Sequence, residues 1–406
     1  MHPKTRLGGR GSRASGLIVI FTTIALDSVG IGLIFPVLPG LLRHVTHSNN
    51  VAPFIGITVA LYAFMQFIFA PVLGALSDRL GRRPVLLISL FGAAISYVLM
   101  ASASSLWMLL AGRAIAGLTS ANMAVATAYI TDISPEDERA GRFGIFNAMF
   151  GIGFIVGPVL GGLLGDYWLR LPFIAAAVLN VCNMLFALFV LPESHKPEQQ
   201  KIDLAALNPL RPMRLALSMR GLAPIILVFF VFSFSGELYG TCWALWGADT
   251  FGWNGLWIGL SLGACGVCHA LVQALLTGPT VKRLGERPAI FAGLACACLA
   301  LVVMALARRS WMVFAIMPVF ALGGIGTPAL QSLATKQVDK GQQGQFQGVL
   351  ASVLSLSAII GPLFFSSAYF LVQKQWPGAI WLSNVIFSLV IVPVVLSLRL
   401  KKEVIA

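Results

Sequence analysis

The chain predicts an all-α membrane protein: twelve transmembrane helices in two pseudo-symmetric bundles of six. Three observations predict it. Hydrophobic residues make up 58% of the 406 positions and charged ones 11%, which leaves too little polar surface to coat a soluble globule. About twenty apolar residues cross a bilayer's hydrocarbon core, and twelve such segments can be marked, at 17–38, 54–76, 85–103, 106–131, 143–165, 171–191, 222–247, 255–277, 288–307, 310–335, 345–371 and 378–398. The halves also repeat. Gly74-Ala75-Leu76-Ser77-Asp78-Arg79-Leu80-Gly81-Arg82-Arg83-Pro84 returns in outline 204 positions later as Gly278-Pro279-Thr280-Val281-Lys282-Arg283-Leu284-Gly285-Glu286-Arg287-Pro288. Trp107-Met108 and Trp311-Met312 keep that offset, as do Gly157-Pro158 and Gly361-Pro362. Duplicated sets of apolar helices build many secondary transporters, because two similar halves can rock about a site held between them.

Taken in chain order, Lys4, Arg6, Arg10 and Arg13 look like the start of a signal peptide. The apolar run that follows is too long and carries Asp27, so an uncleaved first span is expected. With both termini in the cytoplasm, 22 Lys and Arg fall inside and 5 outside, Arg113 in a span completing the 28. The positive-inside rule therefore sets the orientation. It also explains the formal net charge of +13 without a nucleic-acid partner. A polar interruption divides the chain into an N-terminal bundle at 1–191, a cytoplasmic linker at 192–221 and a C-terminal bundle at 222–406. The remaining loops are short, which leaves no room for a soluble catalytic domain.

All six cysteines (Cys182, Cys242, Cys265, Cys268, Cys296 and Cys298) fall within expected spans, so no disulfide framework is expected. Cys265-Gly266-Val267-Cys268-His269 matches a haem-attachment pattern, but inside hydrocarbon small cysteines serve close packing. The sequence carries no Walker A or zinc-protease motif. No cofactor, metal site or catalytic residue is expected, and transport must draw on an ion gradient.

The glycines of the loop at Gly74 allow a tight reversal, and its charges can lock helix ends on the cytoplasmic face. This loop, with Gly74, Asp78, Arg79, Gly81, Arg82 and Arg83, resembles the signature between helices 2 and 3 of the major facilitator superfamily. The resemblance implies that Asp78 gates, in association with the start of helix 11; the second copy has Lys282 there. Gly153-Phe154-Ile155-Val156-Gly157-Pro158-Val159-Leu160-Gly161-Gly162 is similar to the glycine-proline signature of the antiporter branch, with Gly157 and Pro158 as its centre. Gly112-Arg113-Ala114-Ile115-Ala116-Gly117 is like the family's buried arginine motif. More narrowly, Leu26-Asp27-Ser28-Val29-Gly30-Ile31-Gly32-Leu33-Ile34-Phe35-Pro36-Val37-Leu38-Pro39 resembles helix 1 of bacterial tetracycline/proton antiporters. Phe251-Gly252-Trp253-Asn254, His269 and Gln342-Gln343-Gly344 resemble the same group. Two positions depart from it: Ser96 and Ala297 stand where that group carries intramembrane aspartates.

Of fifteen acidic residues, Asp27 and Glu237 are the two deep in spans. Intramembrane carboxyls mark ion or substrate paths. A buried arginine is costly unless it faces the bundle interior and finds a partner. Asp27 lies roughly 15 Å from the cytoplasmic edge and Arg113 roughly 10 Å from the periplasmic edge, so their depths agree within about 5 Å. Arg113 is thus the expected partner of Asp27, which would take a proton as the cation moves away. Glu237 is followed by Tyr239, Trp243 and Trp246, and an acid with aromatic faces suits a lipophilic cation or zwitterion. For Trp246 an interfacial belt is the alternative. His269 is a candidate for the proton path, since imidazole titrates near neutrality, or else a packing residue. Gln66, Asn122, Gln273, Gln331 and Asn384 are candidates for a wet cavity, though interhelical hydrogen bonds account for each equally well.

The expectation is a monomeric, multi-pass proton antiporter of the bacterial inner membrane. It exports a small hydrophobic drug or metabolite by alternating access. Tetracycline export, proton-coupled uptake, and a membrane enzyme or non-transporting scaffold stand as alternatives.

Overall fold

Helices form where the apolar segments lie, because hydrocarbon offers backbone N–H and C=O groups no partners outside a helix or a closed barrel. The computed structural model describes residues 10–195, 207–211, 222–338 and 343–397. Among them twelve helical spans are long and apolar enough to cross a membrane: α1 (Ser15–Ile34), α2 (Ala52–Leu80), α3 (Arg82–Ser102), α4 (Leu106–Ile133), α5 (Glu136–Tyr167), α6 (Leu171–Val190), α7 (Ala223–Phe251), α8 (Gly255–Leu284), α9 (Glu286–Leu306), α10 (Ser310–Thr335), α11 (Gln343–Val372) and α12 (Ala379–Ser397). The described residues contain no strand.

Several helices outrun their apolar segments. α2 continues through Ser77, Asp78 and Arg79 to Leu80, α5 begins at Glu136, and α8 reaches Leu284. Hydropathy marks the edge of the hydrocarbon, whereas the i→i−4 ladder carries on beyond it. The first segment, expected to reach residue 38, stops at Ile34. There the N–H of Phe35 bonds the Gly32 carbonyl (3.3 Å) and that of Val37 bonds Ile34 (3.1 Å), making a turn around Pro36. A short helix, Leu38–Thr46, follows and buries Leu38, Leu41, Leu42 and Val45.

Two compact units result: Met1–Ser48 with Leu61–Asn208, and Asn49–Ala60 with Pro209–Ala406. Most of the expected linker, at 196–206 and 212–221, lies outside the described residues. In the first unit Ile20, Ile24, Leu86, Leu90, Ala126 and Tyr129 belong to one buried cluster. There Gly153, Gly157 and Gly161 of α5 face the backbone of α1. A side chain at Gly157 would meet the Val29 carbonyl oxygen at 2.7 Å and the Gly32 Cα at 2.9 Å. The glycine-proline segment thus holds the helix that carries Asp27. The second unit has its own cluster, including Val228, Ile290, Leu330, Val349 and Val395.

Candidate functional site

α4 is helical at Leu106–Leu118 and Asn122–Ile133, and the interruption between them places polar groups inside the first unit. Irregular backbone at membrane depth is tolerated where it lines a cavity. Thr119, Ser120 and Asn122 line a pocket of about 90 Å³ together with Asp27, Tyr62, Ser96, Tyr97 and Arg113. Asn122 Nδ2 donates to Asp27 Oδ1 at 2.9 Å. The Arg113 guanidinium carbon sits 4.4 Å from the centre of the Tyr62 ring, a cation–π geometry. The Tyr62 hydroxyl and Ser120 Oγ lie 2.9 Å apart, and Gln66 Nε2 donates to the same Ser120 at 3.0 Å. A carboxyl, a guanidinium and a chain of hydroxyls and amides therefore share one enclosed space. Such a set can hold a proton on Asp27 or stabilise its anion, according to where Arg113 and Asn122 stand. Tyr62 and Ser120 escaped sequence reasoning; the neighbouring Gly117, Thr119 and Ser120 were the available signal of a helix break.

The second unit arranges its candidates differently. Glu237 lies against α11, where its Cβ and Cγ would be 2.6 and 2.7 Å from a side chain at Gly361. Tyr239 points elsewhere, with its ring 4.7 Å from Trp243 and 5.9 Å from Phe320. Trp243 is buried and donates its indole N–H to Ser261 at 2.8 Å. Trp246 is buried too, packed on Trp381 and Phe251 at 5.1 Å each. These two indoles form the unit's aromatic core, and the acid does not share it. His269 contacts Phe320 edge-on at 5.7 Å. Gln273, in the π-helical segment Val272–Thr277, donates to the Gly324 carbonyl at 3.1 Å. Gln331 is exposed on α10.

At the α2–α3 reversal Gly81 takes a positive φ of 101°, which side-chain-bearing residues avoid. Arg82 then reaches Asp78 at 2.5 Å and Asp132 at 3.0 Å. Glu193, just beyond α6, accepts the backbone N–H groups of Arg82 (2.7 Å) and Arg83 (3.1 Å). It thereby caps the exposed start of α3 with negative charge. Arg83 donates in return to the Leu188 carbonyl of α6. Arg79 is exposed, and Gly74 has open space around its Cα. Sequence reasoning missed Glu193 and gave Asp132 no role; a carboxylate flanking a cytoplasmic helix end, against the prevailing positive charge, was the available clue.

The Major Facilitator Superfamily model matches residues 20–362 and 230–404. The chain belongs to the Major Facilitator Superfamily. Among its relatives, the class C tetracycline resistance protein of Escherichia coli is 50% identical over 379 residues, 93% of this chain and 96% of the relative. The class G tetracycline resistance protein of Vibrio anguillarum is 43% identical, covering 94% and 97%. The quinolone resistance protein NorA of Staphylococcus aureus is 27% identical, covering 87% and 89%. Among solved structures, a bacterial homologue of the human lysosomal transporter Spinster superposes with a TM-score of 0.79 at 16% identity, covering 96% and 97%. The human organic anion transporter MFSD10 does so with a TM-score of 0.67 at 24% identity, covering 93% and 99%. Membership of this superfamily makes the chain a multi-pass transporter rather than an enzyme, and its resistance-protein relatives place it with the proton-coupled drug efflux antiporters.

Proposed function

We infer that this superfamily member exports an amphipathic polycyclic drug in exchange for protons, and that tetracyclines are the first compounds to test. The observation that carries the reading is the enclosed cluster of Asp27, Asn122, Arg113 and Tyr62 in the first unit. Asp27 is the proposed proton carrier. Asn122 and Arg113 favour its anion, and protonation releases both for other partners. Asp78, Arg82 and the glycines around them set the balance between inward and outward states. In the proposed cycle both termini are cytoplasmic, and the bundles at 1–191 and 222–406 move as bodies about the linker at 192–221. The chain works as a monomer.

The test is uptake into everted membrane vesicles under an imposed proton gradient. Wild type should accumulate tetracycline and lose it when an ionophore collapses the gradient. Asp27→Asn, which keeps shape but cannot carry a proton, should fall by at least about 100-fold, the scale of losing an essential proton-transfer group. Gradient-driven uptake at the wild-type rate by a folded Asp27→Asn protein would remove Asp27 from the cycle.

A second reading has its own observation. Glu237 lies at membrane depth in α7, half-buried, with no hydrogen bond or ion pair among the described residues. An uncompensated carboxyl there favours cationic substrates. In this reading metal-chelated tetracycline is a poor substrate, because Ser96 and Ala297 contribute no charge.

A further inference from the structure

We propose that the second unit holds a separate binding pocket for an uncharged, single-ring aromatic group with a hydroxyl or amide edge, recognised by Trp381, Asn384 and Ser235. The pocket, about 160 Å³, opens among α7, α8, α9, α10 and α12. An apolar cavity of roughly 150 Å³ accommodates a benzene ring. Phe320, Leu294 and Ala297 supply apolar wall, and the residues lining it include no Asp, Glu, Lys or Arg among those described.

Three buried polar atoms make it more than a packing gap. Trp381 is 1% exposed and its Nε1 has no hydrogen-bond partner; Asn384 is 7% exposed and its Oδ1 has none either. The Ser235 hydroxyl is likewise buried and unpaired. Asn384 is held in place by its other end, since Nδ2 donates to the Ser235 carbonyl at 2.8 Å. Its free oxygen is therefore an acceptor, the Trp381 indole is a donor, and the serine can act as either. Buried polar groups are nearly always paired, and leaving one unmatched is costly. A neutral ring carrying both a donor and an acceptor pairs them, whereas a charged one would enter without a counter-ion. This site is separate from Asp27 and Glu237 and does not depend on the direction or coupling of transport.

The test uses the full chain in lipid nanodiscs, with isotope-labelled indoles observed by NMR. Trp381→Phe identifies the Trp381 N–H resonance. Phenol and toluene are the probes, alike in shape and different in one hydroxyl. Phenol should shift that resonance and bind about tenfold more tightly than toluene, the scale of one hydrogen bond to a buried unpaired group. Asn384→Leu should reduce the ratio to about twofold or less, and Ala297→Leu should weaken both probes by at least about tenfold by filling the space. Should Ala297→Leu fail to fold, Ser388→Leu fills the cavity from the α12 side. Equal affinities for phenol and toluene in the wild type would mean that water alone serves the polar atoms, and the proposal would fall. Binding that survives the filling variants unchanged would also overturn it.

Discussion

The first unit places Asp78, Arg82 and Asp132 at its cytoplasmic reversal; 204 positions later stand Lys282, Glu286 and Lys336, with every sign reversed. The backbone beneath is nevertheless the same. Gly81 and Gly285 both take positive φ, 101° and 81°. Arg83 donates to the Leu188 carbonyl of α6, and its counterpart Arg287 donates to the Val395 and Leu396 carbonyls of α12. Duplication kept the turn and the arginine that ties one helix start to another helix end, and exchanged the electrostatics. In the first unit Arg82 joins two carboxylates; in the second Glu286 accepts the hydroxyl of Ser332 at 3.3 Å.

The same contrast runs through the central helix pairs. Gly153, Gly157 and Gly161 bring α5 onto the α1 backbone. At the matching positions of α11, Ser357 bonds the Phe230 carbonyl at 3.5 Å, Gly361 receives Glu237, and Phe365 packs on Phe234 at 4.9 Å. One pair is closed by bare backbone and the other is filled by side chains. The unit that carries Asp27 therefore holds it on a tightly packed helix, while the other lodges its carboxyl at the helix interface itself. Gly157→Leu breaks this comparison most severely. It forces a side chain into the Val29 and Gly32 backbone and should cost more than about 3 kcal/mol, beyond ordinary overpacking. The check is the yield and melting temperature of purified protein, with loss of export alongside. A stable, active Gly157→Leu protein would show that α1 and α5 do not need their close approach.

Much of this was legible in the sequence, and the boundary of legibility is physical. Apolar runs of the right length mark helices because the bilayer permits little else. The 204-residue offset located Gly81 and Gly285 as equivalent turns. Legibility ended where pairs depend on helix rotation. Glu237, Tyr239 and Trp243 are close in sequence, yet successive residues on a helix are turned 100° apart. The acid therefore faces α11 while both aromatics join another cluster. Asn122 as a donor to Asp27 and Tyr62 as a platform for Arg113 required knowing how three helices meet. The short helix Leu38–Thr46 was hidden because its apolar residues merged with the end of α1.

Asp78→Asn tests whether the reversed charges matter. Removing the acid from Arg82 leaves Asp132 as its ion-pair partner in this network. Turnover should slow by about tenfold, a state-equilibrium change on the scale of one coupling energy, while substrate affinity changes less than about twofold. Stopped-flow efflux and equilibrium binding measure the two separately. Lys282→Asn, the matching change in the second unit, should alter turnover much less. Equal effects at both positions would make the two reversals interchangeable.

Glu237→Gln probes the carboxyl that the filled helix pair retains. Matched cationic and neutral substrates should separate, with the cation weakened about fivefold and the neutral compound nearly unaffected, as expected for loss of one partly screened charge. Binding measured at two salt concentrations sharpens this, because the cation's advantage in the wild type should shrink as salt rises. Identical losses for both compounds would assign Glu237 a packing role beside Gly361.

The smallest expected effect concerns the cap on α3. Glu193 accepts the N–H groups of Arg82 and Arg83, whereas its counterpart Ser397 turns its hydroxyl back to the Val394 carbonyl of its own helix at 2.7 Å. Glu193→Ala should therefore release the start of α3 by about 1 kcal/mol, the usual value of a helix cap, which accelerates amide exchange there by about fivefold. Hydrogen–deuterium exchange of the peptide containing Arg82 and Arg83 measures it. Ser397→Ala should leave exchange at Glu286 and Arg287 unchanged, because that serine makes no bond to them. If both alanines loosen their helix starts equally, the cap is a generic property of the repeat. If Glu193→Ala alone does so and also slows turnover, the carboxylate belongs with Asp78 in controlling the cytoplasmic side of the first unit.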